Sequence, residues 1–119
     1  MENKIKKLAV LASKAAEDKK ANDIEILDLR DITVIADYFV ICDGNNENQV
    51  KAIARGIEDK LAEEKEITPQ KIAGKNEGRW ILMDYSDFIV HIFHKDEREH
   101  YELERLWADA EKILRNDEE

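Results

Sequence analysis

The side chains best suited to chemistry are concentrated in residues 78–94, GRWILMDYSDFIVHIFH. Asp84 and Asp87 flank a predicted turn. Two carboxylates set opposite each other there repel, and either a cation or the turn amides would relieve them. His91 and His94 lie three apart on one strand, so they point to opposite faces and do not chelate one ion. A hydrogen-bonded histidine within the sheet is a simpler reading of His91 than a general base. Further upstream, Asp43-Gly44-Asn45-Asn46 precedes a helix, whose free N–H groups could donate to an anion. The acid at Asp43 opposes that, and Asn45 or Asn46 serves as a helix cap. Asp28 and Asp31, on either side of Arg30, read as loop caps. Cys42 is the single cysteine and sits in an apolar run, which suits a buried filler and a reducing compartment. There is no P-loop, GxGxxG, GxSxG or metal-type Cys/His cluster. The residues therefore predict no catalytic centre, no metal and no cofactor.

The elements that position these residues follow from periodicity. Residues 3–20 read as a helix with Ile5, Leu8, Ala12 and Ala15/Ala16 on one side. Residues 24–29, IEILDL, read as a strand. In residues 37–42, DYFVIC, the continuous apolar run predicts a central strand buried on both faces. A helix over about 47–65 carries Val50, Ile53/Ala54, Ile57 and Leu61 as its stripe. Thr68-Pro69 breaks the pattern, 71–73 is a short strand, and 79–83 and 88–93 are two more. Asp96, with Glu99 three residues on, predicts the N-cap of a last helix whose stripe is Leu103, Leu106/Trp107, Ala110 and Leu114. The order is α-β-β-α-β-β-β-α. The strand-helix-strand passage over 37–73 predicts a right-handed parallel crossover. The fold class is α/β, a mixed sheet of about five strands with helices packed on it.

If Tyr85-Ser86 is the hairpin loop, Trp80 faces His91, Leu82 faces Ile89 and Asp84 faces Asp87. Alternation then puts Ile81, Met83, Phe88, Val90 and Ile92 on a core face. Trp80, Leu82, Asp84, Asp87, Ile89, His91 and Phe93 share the other. Either the last helix covers that second face, with Leu106 and Trp107 as its lid, or part of it stays open for a protein partner.

Size and charge bound the rest. The 119 residues fit one domain over 1–119, with 111–119 as a frayed acidic end. Hydrophobic residues at 43% supply one modest core, and the formal net charge is −9. The charge is uneven: residues 1–22 hold six lysines against three acids, and the remainder is acidic. An acidic body repels a phosphate backbone, which disfavours direct nucleic-acid binding, and it attracts a basic protein. No stretch approaches the roughly 20 apolar residues of a membrane span. Residues 1–20 lack the apolar core of a signal peptide, so the cytoplasm is the expected location.

Several pieces occur in a specific order: Ala36-Asp37-Tyr38-Phe39-Val40-Ile41, Gly44, Gln49, Ala52-Ile53-Ala54, Gly78-Arg79-Trp80, Asp84, Asp87, Val90-His91-Ile92-Phe93, Arg98, and Tyr101-Glu102-Leu103-Glu104-Arg105-Leu106-Trp107. From about Ile5 to Ala110 the chain resembles the ribosomal silencing factor (RsfS, Iojap-like) family. The resemblance implies a nucleotidyltransferase-like topology without that fold's active site: Asp43-Gly44-Asn45 is not a Gly-Ser turn, and no Asp-x-Asp or Asp-x-Glu stands on a strand. It implies binding to the large ribosomal subunit through its fourteenth protein, which blocks joining of the small subunit and lowers translation when nutrients are short. An assembly role through the same interface is the alternative, and an enzyme of nucleotidyltransferase type a more distant one. Members have been seen as homodimers, which a sheet with an available edge would permit. Carried over by position, Trp80, Asp84, Asp87, His91, Arg98, Tyr101, Glu104 and Trp107 form the implied docking region. Trp80 is its apolar anchor, and Asp84, Asp87 and Glu104 pair with Lys or Arg of the partner. Arg98, Tyr101 and Trp107 either join that contact or lock the last helix to the sheet. The chain departs from the family at Asp43 and Asn45-Asn46, and at Ser86, where a glycine is usual.

Overall fold

A computed structural model describes residues 4–101 and 110–113. Helix α1 (Lys4–Asp18) leads to β1 (Asn22–Asp28) and β2 (Tyr38–Gly44). Helix α2 (Glu47–Lys65), β3 (Lys71–Ala73), β4 (Trp80–Asp84), β5 (Phe88–His94), α3 (Lys95–Tyr101) and β6 (Glu111–Ile113) follow. The sheet order is β3-β4-β5-β2-β1-β6, with β2 parallel to β5 and every other pair antiparallel. The mixed α/β architecture agrees with expectation. The strand-helix-strand passage over 37–73 does join two strands of the same direction in one sheet, but they are not neighbours: β2 lies beside β5, whereas β3 sits on the outer edge against β4.

Alternation explains why β2 and β5 occupy the centre. Both are buried at every position, as their near-continuous apolar sequences require. Tyr38, Val40, Cys42, Phe88, Val90 and Ile92 face one side with Ile81 and Met83, under the stripes of α1 and α2. Ala9, Ala12, Ala15 and Ala16 let α1 approach closely, and Val50, Ile53, Ile57 and Leu61 fill α2. Burial pushes the Cys42 thiol up to about 12, so this sulfur is inert packing.

Two reciprocal side-chain hydrogen bonds set the N-terminal end of α2. The Asn46 side chain accepts from the Gln49 N–H (2.8 Å), and Gln49 Oε1 accepts from the Asn45 N–H (2.6 Å). The Gln49 amide also donates to the carbonyls of Lys19 and Lys20, tying the end of α1 to the start of α2. The turn at 45–46 therefore spends its polar groups on capping, not on an anion. The predicted cap at Asp96 lies inside α3. His94 takes that role, its Nδ1 accepting the Asp96 N–H at 3.2 Å, because β5 runs without a break into the helix.

The hairpin register differs from expectation by two residues. Trp80 pairs with Phe93, Leu82 with His91 and Asp84 with Ile89, and the loop is Ser86-Asp87, not Tyr85-Ser86. Tyr85 stacks on Phe88 at 4.8 Å as the last pair, and Asp84 Oδ1 accepts the Ser86 N–H at 2.7 Å. A shift of two preserves sidedness, so each residue keeps its predicted face. The cost falls on Ser86, whose φ is +78° at the first central position of the turn. Ser86→Gly is expected to stabilise the fold by about 0.5 to 1 kcal/mol, since glycine takes this conformation without the Cβ penalty. A higher denaturant midpoint would show it, and a lower one would refute it.

Residues 111–113 were expected in the last helix or its frayed end. They form edge strand β6, paired with β1 from Ile26↔Ile113 to Asp28↔Glu111, and Lys112 lies 3.4 Å from Glu25. The free edge of β1 offers hydrogen bonds that outweigh a helical stripe, a gain invisible to local periodicity.

Candidate docking face

The second side of the sheet is built from Leu27, Leu29, Phe39, Ile41, Ile89 and Phe93, with Trp80, Leu82 and Ala110 packed against them. Gly78 feeds β4 into this face. Its φ is +72°, and a Cβ there would meet Glu47 and Lys51 at 3.0 Å, so only glycine turns the chain this close to α2. Arg79, the next residue, bridges Glu97 of α3 (2.9 Å) and Glu47 of α2 (3.3 Å). Its guanidinium holds the Glu47 carboxyl below the usual range.

The eight residues implied as a docking region separate into groups. Trp80 and His91 touch: the indole Nε1–H donates to His91 Nδ1 at 3.2 Å. Trp80 also stacks on Phe93 at 4.8 Å, and His91 meets Phe39 edge-on at 4.5 Å. Because the indole only donates, Nδ1 must be the acceptor, and the imidazole proton sits on Nε2. That Nε2 is buried without a hydrogen-bond partner. Burial lowers the His91 pKa to about 4, so the ring is neutral at physiological pH. A neutral buried histidine matches the expected sheet role.

Asp84 and Asp87 stand at the opposite end of the hairpin, four strand positions or roughly 13 Å from Trp80. Asp84 is half-buried and caps the turn, while Asp87 is exposed. Asp84 stands opposite Ile89 and not Asp87, so the expected facing pair of carboxylates does not form, and Asp84 accepts one turn amide, that of Ser86. Among the described residues, no group of three His, Cys, Asp or Glu is placed to hold a metal ion.

Arg98 belongs to neither group. It is buried, with Nη1 donating to the Asp23 carbonyl at 2.5 Å and to Asp43 Oδ2 at 3.1 Å, and with Nη2 3.8 Å from Glu25. It locks α3 over the ends of β1 and β2. Asp43, expected in a turn, is the last acid of β2 and is itself 4% exposed. The sequence offered one signal, an acid at the end of an apolar strand, which needs a cation; that the cation is Arg98 follows only from the fold. Tyr101 closes α3, and Glu104 and Trp107 lie outside the described residues, as does the proposed lid at Leu106 and Trp107.

This geometry defines an α/β domain whose second sheet side is a largely buried aromatic cluster, partly open at Trp80 and Leu82, beside a carboxylate-bearing turn. Comparison with known proteins agrees. Residues 2–119 match the family described as "Ribosomal silencing factor during starvation". The chain is 50% identical over 105 residues to the ribosomal silencing factor RsfS of Bacillus subtilis (strain 168), covering 88% of each protein. A crystal structure from Chromobacterium violaceum superposes with a TM-score of 0.84 at 30% identity, covering 99% of this chain and 98% of that one. One from Bacillus halodurans gives 0.75 at 42% identity, covering 87% and 93%. The chain belongs to the RsfS family of ribosomal silencing factors.

Proposed function

We propose that this protein binds the large ribosomal subunit in the cytoplasm, through the basic fourteenth protein of that subunit, and blocks joining of the small subunit by occupying its landing surface. The observation that carries the reading is the family match across residues 2–119. The surface chemistry supports it. Trp80 is a large, partly buried aromatic seated on Phe93 with one edge accessible, the kind of side chain that dominates interface energies. Asp84 and Asp87 lie on the rim of the same sheet, where carboxylates select a basic partner and speed encounter without adding much affinity. No chemistry is required: the activity is steric, and its strength is the occupancy of one protein contact. Arg98 supports the face by fixing α3 and does not touch the partner. No helix among the described residues is long and apolar enough to cross a membrane.

Co-sedimentation of the purified protein with isolated large subunits, isolated small subunits and preformed whole ribosomes tests this. Binding to free large subunits alone, with small-subunit joining suppressed, is the expected result. No binding to large subunits would end the proposal. Trp80→Ala is expected to weaken large-subunit binding more than tenfold while the far-ultraviolet spectrum stays that of a folded chain. Wild-type affinity for that variant would remove Trp80 from the contact.

A further inference from the structure

The loop between β1 and β2 presents an anomaly that the sheet face does not absorb. Exposed large hydrophobic side chains among the described residues are Ile32 (41% exposed), Val34 (102%) and Ile35 (61%). Scattered exposed apolar residues are ordinary. Here all three fall within four consecutive positions, which marks a patch with a use.

The loop is held rigidly behind that patch. Leu29 N–H donates to the Asp37 carbonyl at 2.8 Å, closing its base. The N–H groups of Ile32 and Thr33 both donate to the Leu29 carbonyl, and Ile35 N–H donates to Thr33 Oγ1. Leu29 and Ala36 are buried in the second core cluster and anchor both ends. Arg30 is drawn back from the tip by a two-bond pair with Asp28, at 2.9 and 2.6 Å, and lies 5.4 Å over the Tyr38 ring. A loop ordered before contact loses little conformational freedom on binding.

Its surroundings say what it contacts. Asp37 N–H donates to the Asp87 carbonyl at 2.8 Å, so the loop abuts the β4–β5 turn at the same end of the sheet. The apolar tip therefore shares this end of the sheet with Asp28, Asp31, Asp37, Asp84 and Asp87, set against Arg30, which pairs with Asp28, Lys6, which acts on the same carboxylate, and Lys71, registered opposite Asp84, so among these residues acids outnumber bases. A second copy docking loop to loop would set these acids against their own images. Phosphate, in RNA or lipid headgroups, would meet the same repulsion. A basic protein surface with an apolar recess matches both features.

We infer that the Ile32-Val34-Ile35 tip is a contact element in its own right, inserting into an apolar recess on the basic protein of the large subunit beside the carboxylate turn. This rests on the function proposed above and names where, on that partner, the affinity comes from. The loop supplies apolar contact and the flanking acids supply orientation.

The test is equilibrium binding of the full chain to purified large subunits, with sedimentation velocity of the free protein alongside. Wild type is expected to bind. Val34→Ser/Ile35→Ser should bind at least tenfold more weakly with an unchanged melting temperature, since both side chains are exposed. Val34→Ser alone, at a position wholly in solvent, should show part of the loss. Asp31→Lys should weaken binding as well. If wild type binds and both serine variants match it, the loop is not a contact and the inference falls while the proposed function stands. If wild type fails to bind, the function falls and takes the inference with it. Stronger binding by Asp31→Lys would assign the facing surface to RNA and overturn the basic-protein partner. Serine variants that lose self-association but keep subunit binding would assign the tip to a second copy, again overturning it.

Discussion

Arg98→Met is expected to destabilise the fold by about 3 to 5 kcal/mol, the usual consequence of leaving one charge of a buried pair without its partner. The orphan would be Asp43, 4% exposed on the last residues of β2. Across the sheet it stands opposite Asn22 of β1 on one side and Phe93 of β5 on the other. The Asp23 carbonyl would also lose a charged donor, and α3 its tie to the sheet. Denaturant unfolding monitored by tryptophan fluorescence measures the loss. The double variant Arg98→Met/Asp43→Leu provides the internal check, because removing both charges removes the desolvation penalty along with the attraction. It should be less destabilised than the sum of the two single variants, by a coupling above about 1 kcal/mol. A single-variant effect below 1 kcal/mol would mean that water reaches the pair. Loss of subunit binding by Arg98→Met should track its loss of folded protein, which separates a clamp from a contact residue.

Stability is expected to fall by about 2 kcal/mol between pH 7 and pH 5 through His91 alone. The folded ring takes a proton only at about 4, because burial penalises its charged form, whereas the unfolded ring takes it at 6.5. Above pH 6.5 both states are neutral and the full stability is present. Below it the unfolded chain binds a proton that the folded one refuses, so stability declines as pH falls and levels off near pH 4. The whole excursion is about 3 kcal/mol. Asp28, held low by its hydrogen bonds from Arg30, contributes in the same direction but only in the more acidic carboxylate range. His91→Gln isolates the effect, since its amide oxygen can still accept from Trp80 and does not titrate. Unfolding free energies for that variant should be nearly flat between pH 7 and pH 5. An equal slope in wild type and variant would locate the pH dependence elsewhere. Because His91 Nδ1 accepts the Trp80 indole hydrogen bond, protonation of the folded ring, which comes only near pH 4, should break that bond, while the folded contact is expected to be unchanged between pH 7 and pH 5.

The amino-acid sequence by itself determined the sides of the sheet. Apolar alternation in β4 and β5 assigned each residue to its face, and a two-residue register error left that assignment intact because the side-chain period is two. It also determined that β2 is central, since a strand reading Tyr-Phe-Val-Ile-Cys can be satisfied only by cover on both faces. The stripe of α2 and a cap at Asn45 or Asn46 were equally legible, because helix periodicity and capping are local, and the fold chose Asn46. Family membership was legible from the order of short pieces between Ile5 and Ala110. Only the tertiary structure decided which strands are neighbours. Nothing local in residues 37–73 says that β2 pairs in parallel with β5 instead of β3, or that 111–113 leave a helical pattern to complete the edge of β1. Those choices depend on backbone groups far apart in the chain finding each other. The same holds for Arg98, whose buried role exists only because β1 and β2 bring Asp23, Glu25 and Asp43 to one point. It holds again for Ile32, Val34 and Ile35, which read as an ordinary connector until the fold leaves them in solvent with nothing of their own to cover them.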